Sequence, residues 1–112
     1  MELKDRFLKY VSYDTQSSEQ SRTFPSTDKQ LVLLRELADE MKALEMTEVT
    51  MDAHGYVMGT VPATPGCESA PVVGFIAHVD TSPDMSGKDV RPRTIEEYDG
   101  GDIVLNGQLT MR

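Results

Sequence analysis

The stretch Val72–Pro83, VVGFIAHVDTSP, decides the expected fold of this chain. It begins with six residues that carry no polar side chain, continues into a His-x-Asp triplet, and ends in Ser-Pro. Apolar residues at both odd and even positions predict a strand that is buried on both faces, as in the central strands of α/β sheets. Ligands of such sheets bind beyond the carboxyl ends of the strands, so the sequence places a candidate site at His78 and Asp80.

His78 and Asp80 are two positions apart, so a strand would direct both side chains to the same side. Imidazole is a good zinc ligand, and a carboxylate at its second ring nitrogen would fix the tautomer and strengthen the donor. A solvated histidine at a strand end is the alternative, because a bare His-x-Asp triplet is common. The apolar lead-in and the Thr-Ser-Pro-Asp exit favour the metal site.

Two helices are predicted before this stretch. Apolar residues at helical spacing indicate a short amphipathic helix over about residues 2–10. A second helix should begin near Thr27, where Thr27 and Gln30 can form a capping box, and should end near Glu45. Its predicted apolar stripe comprises Leu31, Leu34, Leu37, Ala38, Met41 and Leu44.

Turn and loop signals occupy most of the remaining chain. Alternating residues over 49–61 predict a hairpin with His54 solvated in its turn, and an Asn-Gly pair predicts a second hairpin over 102–111. Residues 12–23 are polar and predict a surface loop. Residues 62–71 contain three of the six prolines and predict an exposed connection.

The composition predicts a soluble, acidic domain. The 112 residues approach the commonest domain size, and the 19 acidic residues exceed the 11 basic ones by eight. No basic patch is available for nucleic acid or an anionic membrane. A single cysteine, Cys67, excludes an internal disulfide and suits a reducing compartment. Because the first residues also lack a secretory pattern, the sequence predicts a cytoplasmic protein.

Several short motifs resemble the amino-terminal part of the peptidase T family, the tripeptide aminopeptidases among the two-zinc exopeptidases. The likeness is carried by residues 10–12, 14–17, 25–27, 74–84, 86–88 and 100–103. The wider family shares the His-x-Asp element, whereas Thr-Ser-Pro-Asp and Ser-Gly-Lys are similar to the peptidase T branch. The likeness extends over essentially the whole chain.

The resemblance implies an α/β fold in which helices pack on a mixed β-sheet. Residues 1–112 would be the N-terminal portion of a zinc-exopeptidase catalytic domain, without its lid and dimerisation domain. The implied activity is zinc-dependent release of the first residue of a tripeptide, with two zinc ions in the complete enzyme. His78 would ligate one zinc, and Asp80, in the catalytic site, would hold the other ring nitrogen of His78.

Such a site needs about three protein ligands per zinc ion, and the motifs match one. The chain also stops after a strand-like stretch without a closing helix, so we expect a fragment that is inactive alone. A related two-zinc dipeptidase or N-acyl amino acid deacylase would share His-x-Asp. A noncatalytic domain that binds peptides or a partner is the further alternative.

Overall fold

The computed structural model describes residues 2–105 and 107–112. The elements in chain order are α1 (Leu3–Tyr10), α2 (Gln30–Ala43), β1 (Thr47–Met51), β2 (Val57–Thr60), β3 (Ile103–Val104) and β4 (Thr110–Met111). β1 pairs antiparallel with β2, and β3 pairs antiparallel with β4. The described part is therefore a small α/β unit with two helices and two small antiparallel sheets. Neither helix has the length and apolar character needed to cross a membrane.

The core lies where α2 packs on the β1–β2 hairpin. Leu33 and Ala38 of α2 are the buried apolar residues of the described chain. The hairpin turn contacts the same helix through Gly55, which has a φ of +88°. A Cβ atom at Gly55 would lie 2.9 Å from Leu34 Cδ1 and 3.1 Å from Leu31 Cδ2. Glycine therefore meets both a backbone and a packing requirement at this turn.

Charged and hydroxyl groups attach α1 to α2. Arg6 is ion-paired with Glu40, and Lys9 with Glu36. The Tyr10 hydroxyl donates a hydrogen bond of 2.5 Å to the second carboxylate oxygen of Glu40. Burial, followed by this bond to Glu40, raises the pKa of Tyr10 to about 12. The Tyr10 hydroxyl, followed by Arg6, holds the pKa of Glu40 below its ordinary value.

The predicted first helix is confirmed, but the predicted capping box of the second is wrong. α2 begins at Gln30, and the residue before it, Lys29, makes no side-chain cap. The Thr27 hydroxyl instead donates to the Gln16 carbonyl at 2.9 Å, and Gln30 Nε2 donates to the Thr27 hydroxyl at 3.1 Å. The Thr27 hydroxyl, which the local pattern assigned to the cap of α2, therefore bonds to the polar loop instead.

The apolar stripe predicted for α2 also needs correction at two positions. Leu33, which the prediction omitted, is buried, whereas Leu44 is largely exposed.

Both predicted hairpins are present, and His54 is exposed in the first turn. The predicted turn residue Asn106 lies outside the described residues. The exposed connection over 62–71 is as predicted, whereas the loop over 12–23 lies only partly at the surface, because Thr15 is 3% exposed.

The buried strand predicted for the apolar run at residues 72–77 is wrong for this structure. The segment belongs to no strand, and Val72, Phe75 and Ile76 have relative exposures of 100%, 95% and 102%. A strand of this type needs hydrogen-bonded neighbours and cover on both faces. In the described chain β1 pairs only with β2 and β3 only with β4, so no strand flanks the segment.

The mixed sheet is likewise not formed by the described residues. Their strand pairs are antiparallel, and the parallel pairing found among them is an isolated bridge between Gln16 and Thr81. That bridge joins the polar loop before α2 to the residue that follows Asp80. The fold therefore positions the His-x-Asp triplet through a loop contact rather than through a sheet.

Candidate metal site

His78 and Asp80 contact each other directly. His78 Nδ1 lies 3.0 Å from Asp80 Oδ1, so the two side chains share one side of the chain as the sequence predicted. With its proton on Nδ1, the imidazole donates to the carboxylate and leaves the Nε2 lone pair free. The His78 side chain is 83% exposed, and that of Asp80 is 43% exposed. Nε2 is thus accessible to an incoming ligand.

The donor set of this pair fits one part of a zinc site. A neutral imidazole with a carboxylate on its second nitrogen is the usual form of a histidine zinc ligand. Among residues 2–105 and 107–112, no group of three or more His, Cys, Asp or Glu side chains could hold a metal ion. His54 is exposed in the hairpin turn, as predicted, with its Nδ1 3.8 Å from Asp52 Oδ2. The pair therefore provides one ligand and its orienting group.

The backbone that follows Asp80 is fixed by the polar loop before α2. The Thr81 N–H donates to the Thr15 carbonyl at 3.1 Å, and the Thr81 carbonyl accepts from the Ser17 N–H at 2.9 Å. Gln16 Nε2 donates to the Pro83 carbonyl at 2.8 Å. Thr15, Gln16 and Ser17 are thus hydrogen-bonded to the residues that directly follow the His-x-Asp triplet.

Sequence reasoning gave residues 14–17 no role in the site. The part that these residues have in the peptidase T likeness was the signal that could have linked them to the site. A polar loop has no periodicity that could indicate which segment it contacts. The contact is nonlocal: Ser17 and Thr81 are separated by 64 positions. Pattern along the chain could not have found it.

The polar loop carries an ion pair of its own. Lys29 Nζ lies 2.9 Å from Asp14 Oδ1 and 3.0 Å from Asp14 Oδ2. The Lys29 ammonium, together with the Gln16 N–H that Asp14 accepts at 3.1 Å, lowers the pKa of the Asp14 carboxyl. Asp14 is therefore a carboxylate over the whole neutral range.

Comparison with known proteins gives close relatives over nearly the whole chain. Peptidase T of Caldanaerobacter subterraneus subsp. tengcongensis is 58% identical over 102 residues, which are 91% of this chain and 25% of the relative. Peptidase T of Clostridium novyi is 54% identical over 102 residues, which are again 91% of this chain and 25% of the relative. Peptidase T of Bacillus velezensis is 52% identical over 110 residues, 98% of this chain and 27% of the relative.

No protein-family model matches the chain. The chain spans about a quarter of the length of the curated relatives that it matches. The matched part includes most or nearly all of the present chain in each comparison. This chain is therefore related over nearly its whole length to proteins named peptidase T, and the resemblance predicted from its motifs is confirmed.

Proposed function

We propose that this chain is part of a zinc-dependent aminopeptidase that releases the N-terminal residue of tripeptides. The observation that carries the proposal is the 3.0 Å contact between His78 Nδ1 and Asp80 Oδ1, in a chain 52–58% identical to proteins named peptidase T. The name of the relatives supports a peptide substrate, and the excess of acidic over basic residues argues against a nucleic acid.

His78 would bind one of two zinc ions through Nε2, while Asp80 holds Nδ1 and raises the basicity of the ring. Zinc at such a site supplies Lewis-acid activation of the peptide carbonyl and of water. The exposure of His78 leaves Nε2 open to an ion that is also held by ligands outside this chain. The chain alone supplies too few ligands for turnover.

The exposed apolar segment also supports a larger catalytic domain. Residues 72–77 would form a central strand of a mixed sheet once strands from the rest of the polypeptide flank them, since apolar residues of both parities suit burial on both faces. Residues 1–112 would then be the N-terminal portion of that domain, with the lid elsewhere. The exposed free thiol of Cys67 suits a reducing compartment and supports a cytoplasmic location.

The decisive assay uses the full-length protein. Metal is removed with a chelator, zinc is restored, and hydrolysis of a tripeptide, a dipeptide and an N-acyl amino acid is measured at each step. We expect zinc-dependent cleavage of the tripeptide only at its first bond. Zinc-dependent cleavage of the dipeptide or the N-acyl amino acid in its place would assign the protein to one of those activities. No hydrolysis of any substrate would favour a noncatalytic binding domain.

A further inference from the structure

Thr81 gives the His78–Asp80 pair its nearest backbone anchor in the described chain. The backbone of residues 71–80 makes no hydrogen bond to another described segment. Thr81, directly after Asp80, makes two backbone hydrogen bonds, one to Thr15 and one to Ser17. The Ser17 hydroxyl adds a third hydrogen bond, at 2.9 Å, to the Thr81 carbonyl. The orientation of Asp80, and through it that of His78, therefore depends on where residues 14–17 hold Thr81.

The loop after Thr81 touches the same segment at two further points. The Pro83 carbonyl accepts the Gln16 side-chain amide at 2.8 Å. Gly87 approaches closely enough that a Cβ atom there would lie 2.9 Å from Asp14 Oδ1 and 3.3 Å from Thr81 Oγ1. Residues 81–87 are thus hydrogen-bonded to residues 14–17 at Thr81 and Pro83, and they pass close to Asp14 at Gly87.

Residues 14–17 are themselves fixed to the start of α2. The Thr27 hydroxyl donates to the Gln16 carbonyl, and Lys29 is ion-paired with Asp14. Thr15 is only 3% exposed, so the segment is seated in the body of the protein rather than free on its surface. A continuous set of hydrogen bonds therefore runs from the helix to the residue beside Asp80.

We propose that Gln16 is a positioning residue of the metal site: its side-chain bond to the Pro83 carbonyl adds to the backbone bonds that Thr15 and Ser17 make to Thr81, and it thereby helps to set the position of the His78–Asp80 pair relative to α2. The proposal rests on the proposed zinc function of that pair. The ion pair between Asp14 and Lys29 acts with Gln16 because it fixes residues 14–17, to which Gln16 belongs. Gln16 is hydrogen-bonded to Asp14, Thr27 and Pro83, so its effect on the imidazole would pass through Asp80.

The test compares Gln16→Leu with Gln20→Leu in the full-length protein. Gln20 lies in the same polar loop and is exposed, and its side chain makes no hydrogen bond to any residue of 2–105 or 107–112, so it is a matched control. Zinc affinity is measured by competition with a chelator, and kcat and KM are measured on a tripeptide. For Gln16→Leu we expect about a 10-fold loss of zinc affinity, the lower end of the range for groups that orient metal ligands. We also expect a lower kcat that recovers partly with added zinc, and an unchanged KM.

Wild-type zinc affinity and kcat in Gln16→Leu, or equal losses in both variants, would overturn the proposal. If Gln16→Leu does not fold, Asp14→Asn replaces it, because that change keeps the volume and removes the charge and one of the two oxygens that accept from Lys29. Unfolding of both variants would also overturn the proposal, since the segment would then serve stability alone. Failure of the zinc function itself is seen separately, as a His78→Ala protein that keeps the wild-type zinc content.

Discussion

Tyr10 and Glu40 are joined by a 2.5 Å hydrogen bond that attaches α1 to α2, and Arg6 is ion-paired with the same carboxylate. α1 has no buried residue of its own, so this polar contact carries much of its attachment. Tyr10→Phe should lower the free energy of unfolding by about 1.5–3 kcal/mol, the range for a hydrogen bond to a charged group. Chemical denaturation checks this. Tyr56→Phe is the control, because Tyr56 is 70% exposed, and an equal loss there would contradict the assignment.

The same contact predicts how stability depends on pH. Glu40 has a lowered pKa, so its contribution is fully present above its ordinary value of 4.5 and is lost as pH falls through the folded-state value. Tyr10 has a raised pKa, so its contribution is present below 10.0 and is lost as pH rises through about 12. Denaturation midpoints measured from acid to alkaline pH should decline at both ends.

Glu40→Gln should weaken the acid decline without abolishing it. Asp14 and Asp52 also have lowered pKa values, through Lys29 and through the Tyr56 N–H respectively, so they continue to destabilise the fold on protonation. On the alkaline side, Tyr10→Phe should weaken the decline between 10.0 and about 12 without abolishing it, because Glu36 also raises the pKa of Lys9. An unchanged pH profile in both variants would show that α1 is held by other contacts.

Gly55 and Gly66 form a natural pair for separating backbone strain from packing. Both have a φ of +88°, but a Cβ atom at Gly66 would meet nothing within 4 Å, whereas at Gly55 it would meet Leu34 and Leu31. Gly66→Ala should therefore cost about 1 kcal/mol of folding free energy from the left-handed backbone alone. Gly55→Ala should cost about 1–3 kcal/mol more, because the side chain overpacks the contact with α2. Equal losses in thermal or chemical denaturation would mean that the turn does not pack on the helix.

Phe75→Asp should have little effect on the stability of this chain and a large effect on that of the full-length protein. The sequence predicts a loss of several kcal/mol, because a buried strand would place the carboxylate among apolar groups. In this chain Phe75 is 95% exposed, so the free energy of unfolding should change by less than about 0.5 kcal/mol. In the full-length protein the loss of several kcal/mol should return. No effect in the full-length protein would remove the support for a central strand at residues 72–77.

His78→Ala and Asp80→Asn should differ in kind in the full-length protein. His78→Ala removes a zinc ligand, so one zinc and the activity should be lost and added zinc should not restore them. Asp80→Asn weakens the orientation of the ring, which typically costs about 10–100-fold in metal affinity or activity, and added zinc should restore part of it. Bound metal and rate are measured against zinc concentration. Full metal and full rate in Asp80→Asn would leave Asp80 without a role.

Local signals in the sequence predicted what depends on local structure. The spacing of Leu3 and Phe7 indicated α1, and alternation around His54 indicated the first hairpin. The apolar run at residues 72–77 encodes burial against neighbours that the described residues do not supply, so its strand is absent here. Thr27 failed as a helix cap because Gln16, 11 positions away, takes its hydroxyl. The contact of His78 with Asp80 was predictable because it spans two positions.

The hydrogen bond between Ser17 and Thr81 closes a loop of 64 positions that contains α2 and the β1–β2 hairpin. Each doubling of loop length adds only about 0.6 kcal/mol of closure entropy, so the cost of this loop to stability is modest. Contacts of high sequence separation act mainly on the folding rate. The helix and the hairpin should therefore form before the segment with His78 and Asp80 joins them.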